Sequence, residues 1–139
     1  MSNRYVGAWL QDGAFNPLVA PTPSYTYYLY TWGNNSSGQL GLGNTTKFSS
    51  PKQVGSLTNW ITVASGYSYS LSVKSDGTLW TWGGNSNGAS GLGNTTYYSS
   101  PKQVGALTNW KTVATRGSSV AAIKTDGTLW SWGSNNSGQ

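Results

Sequence analysis

The chain repeats itself at a period of 50: residues 31–80 and 81–130 align without a gap, and 33 of the 50 positions are identical. A third copy starts at Ser131 and runs to Gln139. A repeat of this length implies one supersecondary unit copied in series, each unit burying its apolar face against the next. Such arrays offer surfaces for binding more readily than they assemble an asymmetric catalytic centre.

The unit reads as β-structure. Residues 61–65 and 69–74 alternate apolar and polar side chains, and Asp76-Gly77 then supplies a hairpin turn before Leu79-Trp80-Thr81-Trp82. A fourth run, residues 101–104, opens with Pro101, which suits a strand start or an edge. Strands are therefore expected near 61–65, 69–74, 78–82 and 101–104, and again near 111–115, 119–124 and 128–132. Between the third and fourth strands runs a long loop, Gly83 to Ser100, carrying Gly-Leu-Gly-Asn-Thr-Thr at 91–96 as at 41–46. In each copy the leucine between glycines, Leu42 or Leu92, can plug an apolar gap while the backbone turns. Four strands per 50 residues is the pattern of a β-propeller blade, and a stacked solenoid would favour shorter repeats.

Composition supports this. Eight Trp and nine Tyr supply apolar area for a core, and Glu is absent, which disfavours long helices. There is no Cys and no His, so disulfides, thiolate metal sites and imidazole chemistry are excluded. The carboxylates, Asp12, Asp76 and Asp126, leave no pair for acid–base hydrolysis, and Asp76 and Asp126 lie in Asp-Gly turns. No phosphate loop or nucleophile elbow occurs. The expectation is a non-enzymatic protein without cofactor or metal. The net charge of +5 is scattered, with no basic run of the kind that nucleic acid requires. Lys74 and Lys124 flank the hairpin turns, where they are expected to keep exposed strands soluble. Neither a secretory signal nor a membrane-length apolar stretch is visible.

The string Leu-Trp-Thr-Trp-Gly-x-Asn-Ser-x-Gly, then Gly-Leu-Gly, Pro-x-x-Val, Val-Ala-x-Gly and Asp-Gly-x-Leu-Trp resembles the regulator of chromosome condensation repeat. It is carried here by Leu29 to Gly43, Pro51 to Val54, Val63 to Gly66 and Asp76 to Trp80, and it recurs fifty residues on. The resemblance implies an all-β fold of four-stranded antiparallel blades from a seven-bladed propeller. Where the family commonly has His in the second strand, this chain has Tyr69 and Ser119. The second copy also has Arg116 in place of Gly66. If Gly66 needs a positive φ, the second copy must shift its turn to use Gly117.

Residues 29–139 hold about two and a quarter blades, in copies 31–80, 81–130 and a partial 131–139. Seven blades need about 350 residues. Either several chains share one ring, or these residues belong to a longer polypeptide; Gln139 corresponds to Gln39, in mid-loop, which favours the second. Residues 1–28 match no repeat. They read as an extended N-terminal segment in which Tyr5, Val6, Trp9, Leu10 and Phe15 form an anchor, and Pro17, Pro21 and Pro23 mark a linker. Anchor, spacer and displayed repeats resemble structural proteins of tailed bacteriophages.

The tryptophan pairs 80/82 and 130/132, with Tyr30/Trp32 in the first copy, are expected to pack between blades. Asn59-Trp60 and Asn109-Trp110 are expected to plug loops. Positions that differ between copies are the candidate partner contacts: Lys47, Phe48, Tyr67, Tyr69, Tyr97, Tyr98 and Arg116. The functional expectation is a virion structural protein, a head or tail decoration or fibre assembled in the host cytoplasm. It would sit in an oligomer or larger assembly and contact other virion proteins, with a host-surface receptor or glycan as possible ligand and no specific nucleic acid or membrane. The alternatives are a soluble propeller binding one protein, of inhibitor or exchange-factor type, and a glycan-binding surface lectin.

Overall fold

The computed structural model describes residues 26–139 and, as backbone, two short strands before them, β1 (Ala8–Trp9) and β2 (Phe15–Asn16). These two pair antiparallel, Trp9 opposite Phe15. The predicted anchor and linker otherwise lie outside the described residues.

Nine strands follow: β3 (Tyr30–Gly33), β4 (Phe48–Gln53), β5 (Trp60–Ser65), β6 (Tyr69–Lys74), β7 (Leu79–Gly83), β8 (Tyr98–Gln103), β9 (Trp110–Arg116), β10 (Ser119–Lys124) and β11 (Leu129–Gly133). They form three antiparallel sheets. The middle one is a complete blade in the order β5-β6-β7-β8. It is flanked by β3-β4, the outer two strands of the preceding unit, and by β9-β10-β11, the first three of the following one. No helix occurs among the described residues, and hence none long and apolar enough to cross a membrane.

The strands fall within three residues of their expected positions. The largest difference is in the fourth strand, which starts at Phe48 and Tyr98, ahead of the prolines. Pro101 lies inside β8 because the register against β7 shifts between Thr81 and Gly83, and because β8 is the edge of its sheet.

Two cores lie between the sheets. Leu29, Val54, Trp60 and Trp82, with Leu42 and Trp80 against them, join the first unit to the middle blade. Tyr69, Leu71, Val73, Leu79, Trp110, Val113 and Val120, with Trp132 against them, join the middle blade to the third unit. Trp80 and Trp82 share one face of β7, and Leu79 points the other way. Each blade thus has a tryptophan face turned back and a leucine face turned forward.

The tryptophan staple explains the glycine at 41 and 91. Trp82 Nε1 donates to the Gln39 carbonyl at 2.8 Å, and Trp132 Nε1 to the Ala89 carbonyl at 2.9 Å. A Cβ on Gly41, whose φ is +72°, would stand 2.9 Å from that Trp82 nitrogen. The long loop is held by a residue that sequence reasoning did not single out. The buried Asn35 donates to the Asn44 and Thr46 carbonyls and accepts from the Leu40 amide; Asn85 repeats the clamp on Asn94 and Ser90.

Candidate functional site

The antiparallel register puts the β5–β6 hairpin, the long β7–β8 loop and the start of β8 at one end of the blade. Gly83 pairs with both Tyr69 and Tyr98. The Asp76-Gly77 turn, the end of β8 and the start of β5 lie at the other end. Every position proposed from the differences between copies falls at the first end. There Tyr67 is 86% exposed and Tyr97 53%. Lys47 and Arg116 are exposed, while Phe48 and Tyr98 are half-buried with Lys52 and Lys102 ammonium groups 5.3 and 5.5 Å from their ring centres. The Tyr67 amide donates to the Gly117 carbonyl at 3.1 Å, which ties successive hairpin tips together and brings Tyr67 beside Arg116-Gly117.

Tyr69 is a correction. It is 3% exposed, its hydroxyl donates to the Ser119 carbonyl at 3.2 Å, and burial pushes its pKa up to about 12. It belongs to the core between blades and offers nothing to a partner at the surface.

The same contact explains Arg116. Gly66 does not have a positive φ; Gly117 does, at +61°. What Gly66 needs is space: a Cβ there would stand 2.2 Å from the Tyr69 ring and 2.7 Å from the Gly117 carbonyl of the next hairpin. In the second copy Ser119 replaces Tyr69, the ring is gone, and Arg116 fits at the end of β9. Glycine goes with tyrosine and a covering hairpin, and arginine with serine and no covering hairpin among the described residues. Of the anchor set, Tyr5, Val6 and Leu10 lie outside the described residues, and only the backbone of Trp9 and Phe15 is described.

At the opposite end lies an arrangement that sequence reasoning misread. Lys74 and Lys124 do not solubilise strands. They are 4% and 7% exposed, because each lies in an aromatic cage. The Lys74 ammonium is 3.6 Å from the Trp80 ring centre and 4.5 Å from that of Trp60; Lys124 repeats this at 3.8 Å from Trp130 and 5.1 Å from Trp110. Trp60 meets Trp80 and Trp82 edge-on, at 6.2 and 5.9 Å. So Trp60 and Trp110 are core residues at the start of β5 and β9, not loop plugs. The turn fixes the cage: Trp80 Nε1 donates to Thr78 Oγ1 at 2.7 Å, which donates to Asp76 Oδ1 at 2.6 Å. Those bonds from Thr78 hold the Asp76 carboxyl below its ordinary pKa, and Asp126 repeats the pattern with Thr128. Burial pushes the Lys74 ammonium below its ordinary pKa, partly opposed by the Asp76 charge.

The tryptophans themselves divide. Trp82 is 1% exposed, but Trp130 is 49% exposed, and so are Tyr30 at 49% and Trp32 at 59%. Expected as core, Tyr30 and Trp32 lack a covering blade among the described residues, while Trp130, packed on Lys124 and Trp110, stays half exposed. No group of His, Cys, Asp or Glu that could hold a metal occurs among those residues.

The profile of the regulator of chromosome condensation (RCC1) repeat matches residues 28–73 and 76–123, more than half of the chain. The chain belongs to the RCC1 repeat family. A second profile of the same repeat matches 60–89 and 117–139. No curated protein matches the chain by sequence. Among solved structures, human WBSCR16 is similar at 29% identity and a TM-score of 0.67, over 77% of this chain and 29% of its own. Yeast RCC1 (Prp20), solved with Kap60 bound, matches at 23% identity and 0.67, over 78% of this chain and 28% of its own. Prp20p from Saccharomyces cerevisiae matches at 20% and 0.62, over 80% and 29%. The chain therefore spans less than a third of the length of each of these structures, and its antiparallel sheets resemble part of an RCC1-type β-propeller.

Proposed function

We propose that this chain contributes blades to a propeller that binds a partner protein through the rim carrying Tyr67, Tyr97 and Arg116. One observation carries the reading: Tyr67, Tyr97 and Arg116, which differ from their counterparts in the other copy, lie exposed at one end of the blades, and they are of the types that dominate binding hot spots. The scaffold holds that rim rigidly, since hairpin tips are bonded to each other and the long loops are clamped by Asn35 and Asn85. The comparison supports a protein ligand by analogy: yeast RCC1 was solved bound to Kap60, and Prp20p is described with binding to Gsp1p and histones. The role is recognition rather than catalysis.

A photo-crosslinking amino acid at position 67 or 97, in the native cell, tests this. Cross-links to one protein species from both positions, and none from positions 75 and 125 at the opposite end, are expected. Cross-links from 75 and 125 alone would overturn the reading.

We place the partner in a bacteriophage particle, docked through residues 1–28. The support is compositional: an apolar set, Tyr5 to Phe15, then Pro17, Pro21 and Pro23, then the repeats. Deleting residues 1–24 should leave blade folding intact and abolish incorporation into particles. Undiminished incorporation would exclude that setting.

A further inference from the structure

We propose that the cleft between the first unit and the middle blade, floored by Lys74, is a second binding site, one that takes an acidic side chain flanked by apolar residues from a partner polypeptide. The cleft has a volume of about 390 Å³, and its walls include Leu42, Val54, Leu57, Trp60, Trp80 and Pro101. That volume is within the range of small-ligand sites, about 300–1,000 Å³.

Charge decides the occupant. Lys74 lines the cleft, is 4% exposed, and has neither an ion pair nor a side-chain hydrogen bond among the described residues. Its ammonium rests on the Trp80 face and beside Trp60, and contact with π faces does not use up its N–H donors, which keep the capacity to meet an anion. Asp76 does not take that place, because its carboxylate is engaged by the Thr78 amide and hydroxyl. Trp60, which also lines the cleft, has a buried indole nitrogen with no hydrogen-bond partner, as does Trp110 in the next unit. A buried cation lining a cleft whose walls are mostly apolar, with Gln53 and Ser100 as the other polar side chains, calls for a carboxylate oxygen on an apolar body. The chain's net charge of +5 also favours an acidic partner over a neutral one. The site is distinct from the Tyr67 rim and stands or falls separately from it.

The test is an NMR titration of ¹⁵N-labelled protein, read at the Trp60 and Trp80 indole N–H signals. The probes are acetyl-Leu-Glu-Leu-amide, its Gln counterpart, galacturonic acid and inorganic phosphate. The Glu peptide should move both indoles and bind about ten-fold tighter than the Gln peptide. Lys74→Met, which keeps the apolar stem, should remove that preference while the Trp82 indole stays in place on Gln39. Leu57→Asp, an exposed change at the cleft wall, should weaken the Glu peptide about ten-fold by like-charge repulsion and covers the case in which the Lys74 variant misfolds. Tyr67→Ala should change nothing in this titration, so failure of the rim reading would leave this result intact. Equal binding of the Glu and Gln peptides would overturn the proposal. So would unchanged binding in both cleft variants, or binding of galacturonate or phosphate without the peptide.

Discussion

Leu79 and Leu129 occupy the same position in two copies, flanked by the same residues, yet Leu79 is fully buried and Leu129 is 69% exposed. Val63 and Val113 show the reverse order, at 54% and 7%. The leucine faces forward and the valine back, so each is covered only when the neighbouring blade lies on that side. Burial here is a property of the junction, not of the repeat. One copy supplies the knob and the next supplies the hole, which is the nearest-neighbour logic of repeat proteins.

Breaking a junction should therefore cost far more than breaking the same position at an uncovered face. The largest contrast is in tryptophan. Trp82→Ala removes a buried ring and its bond to Gln39 and should cost about 3–5 kcal/mol in chemical unfolding, whereas Trp32→Ala should cost less than about 1. Similar losses would mean that Trp32 is covered in solution. The next contrast is Leu79→Ala, at about 2–5 kcal/mol, against Leu129→Ala, within about 0.5.

The hairpins sharpen the comparison further. Gly66→Arg alone drives a Cβ into the Tyr69 ring and should destabilise by about 1–3 kcal/mol. Adding Tyr69→Ser removes the ring but leaves the Gly117 carbonyl 2.7 Å from that Cβ, so it should recover only part of the loss, a coupling of at least about 0.5 kcal/mol in a double-mutant cycle. Strict additivity would show that the two positions do not share one packing problem.

The smallest effect is on pH dependence. Tyr69 is neutral in both states below its ordinary pKa of 10.0, and in the fold that pKa is raised to about 12. Between those values the unfolded chain ionises first, so stability should fall as pH rises from 10 toward 12. Tyr69→Phe should flatten that part of the stability profile, and an unchanged slope would contradict the burial of the hydroxyl.

Much of the fold is legible in the residues because it is set locally. Alternation and the Asp-Gly turns locate β6 and β7. What is not legible depends on the neighbour. Lys74 follows an alternating strand and looks like a solvated end, yet Trp60 and Trp80 close over it from two strands. Tyr69 looks like a variable surface residue, and only the position of Ser119 shows why it is buried. Asn35 reads as loop polarity until the carbonyls it gathers, nine and eleven residues on, are seen. The candidate rim was found among the exposed differences between copies; buried positions differ too, as Leu71 against Ala121 and Ser72 against Ala122 show, so a difference alone does not mark a surface.

Indole hydrogen exchange tests the junction most directly. The Trp82 N–H, bonded to Gln39, and the Trp132 N–H, bonded to Ala89, should exchange slowly. Trp32, in the equivalent position with its face uncovered, should exchange at the rate of a free indole. Equal protection of Trp32 and Trp82 would contradict the claim that a neighbouring blade, rather than the repeat itself, creates the core.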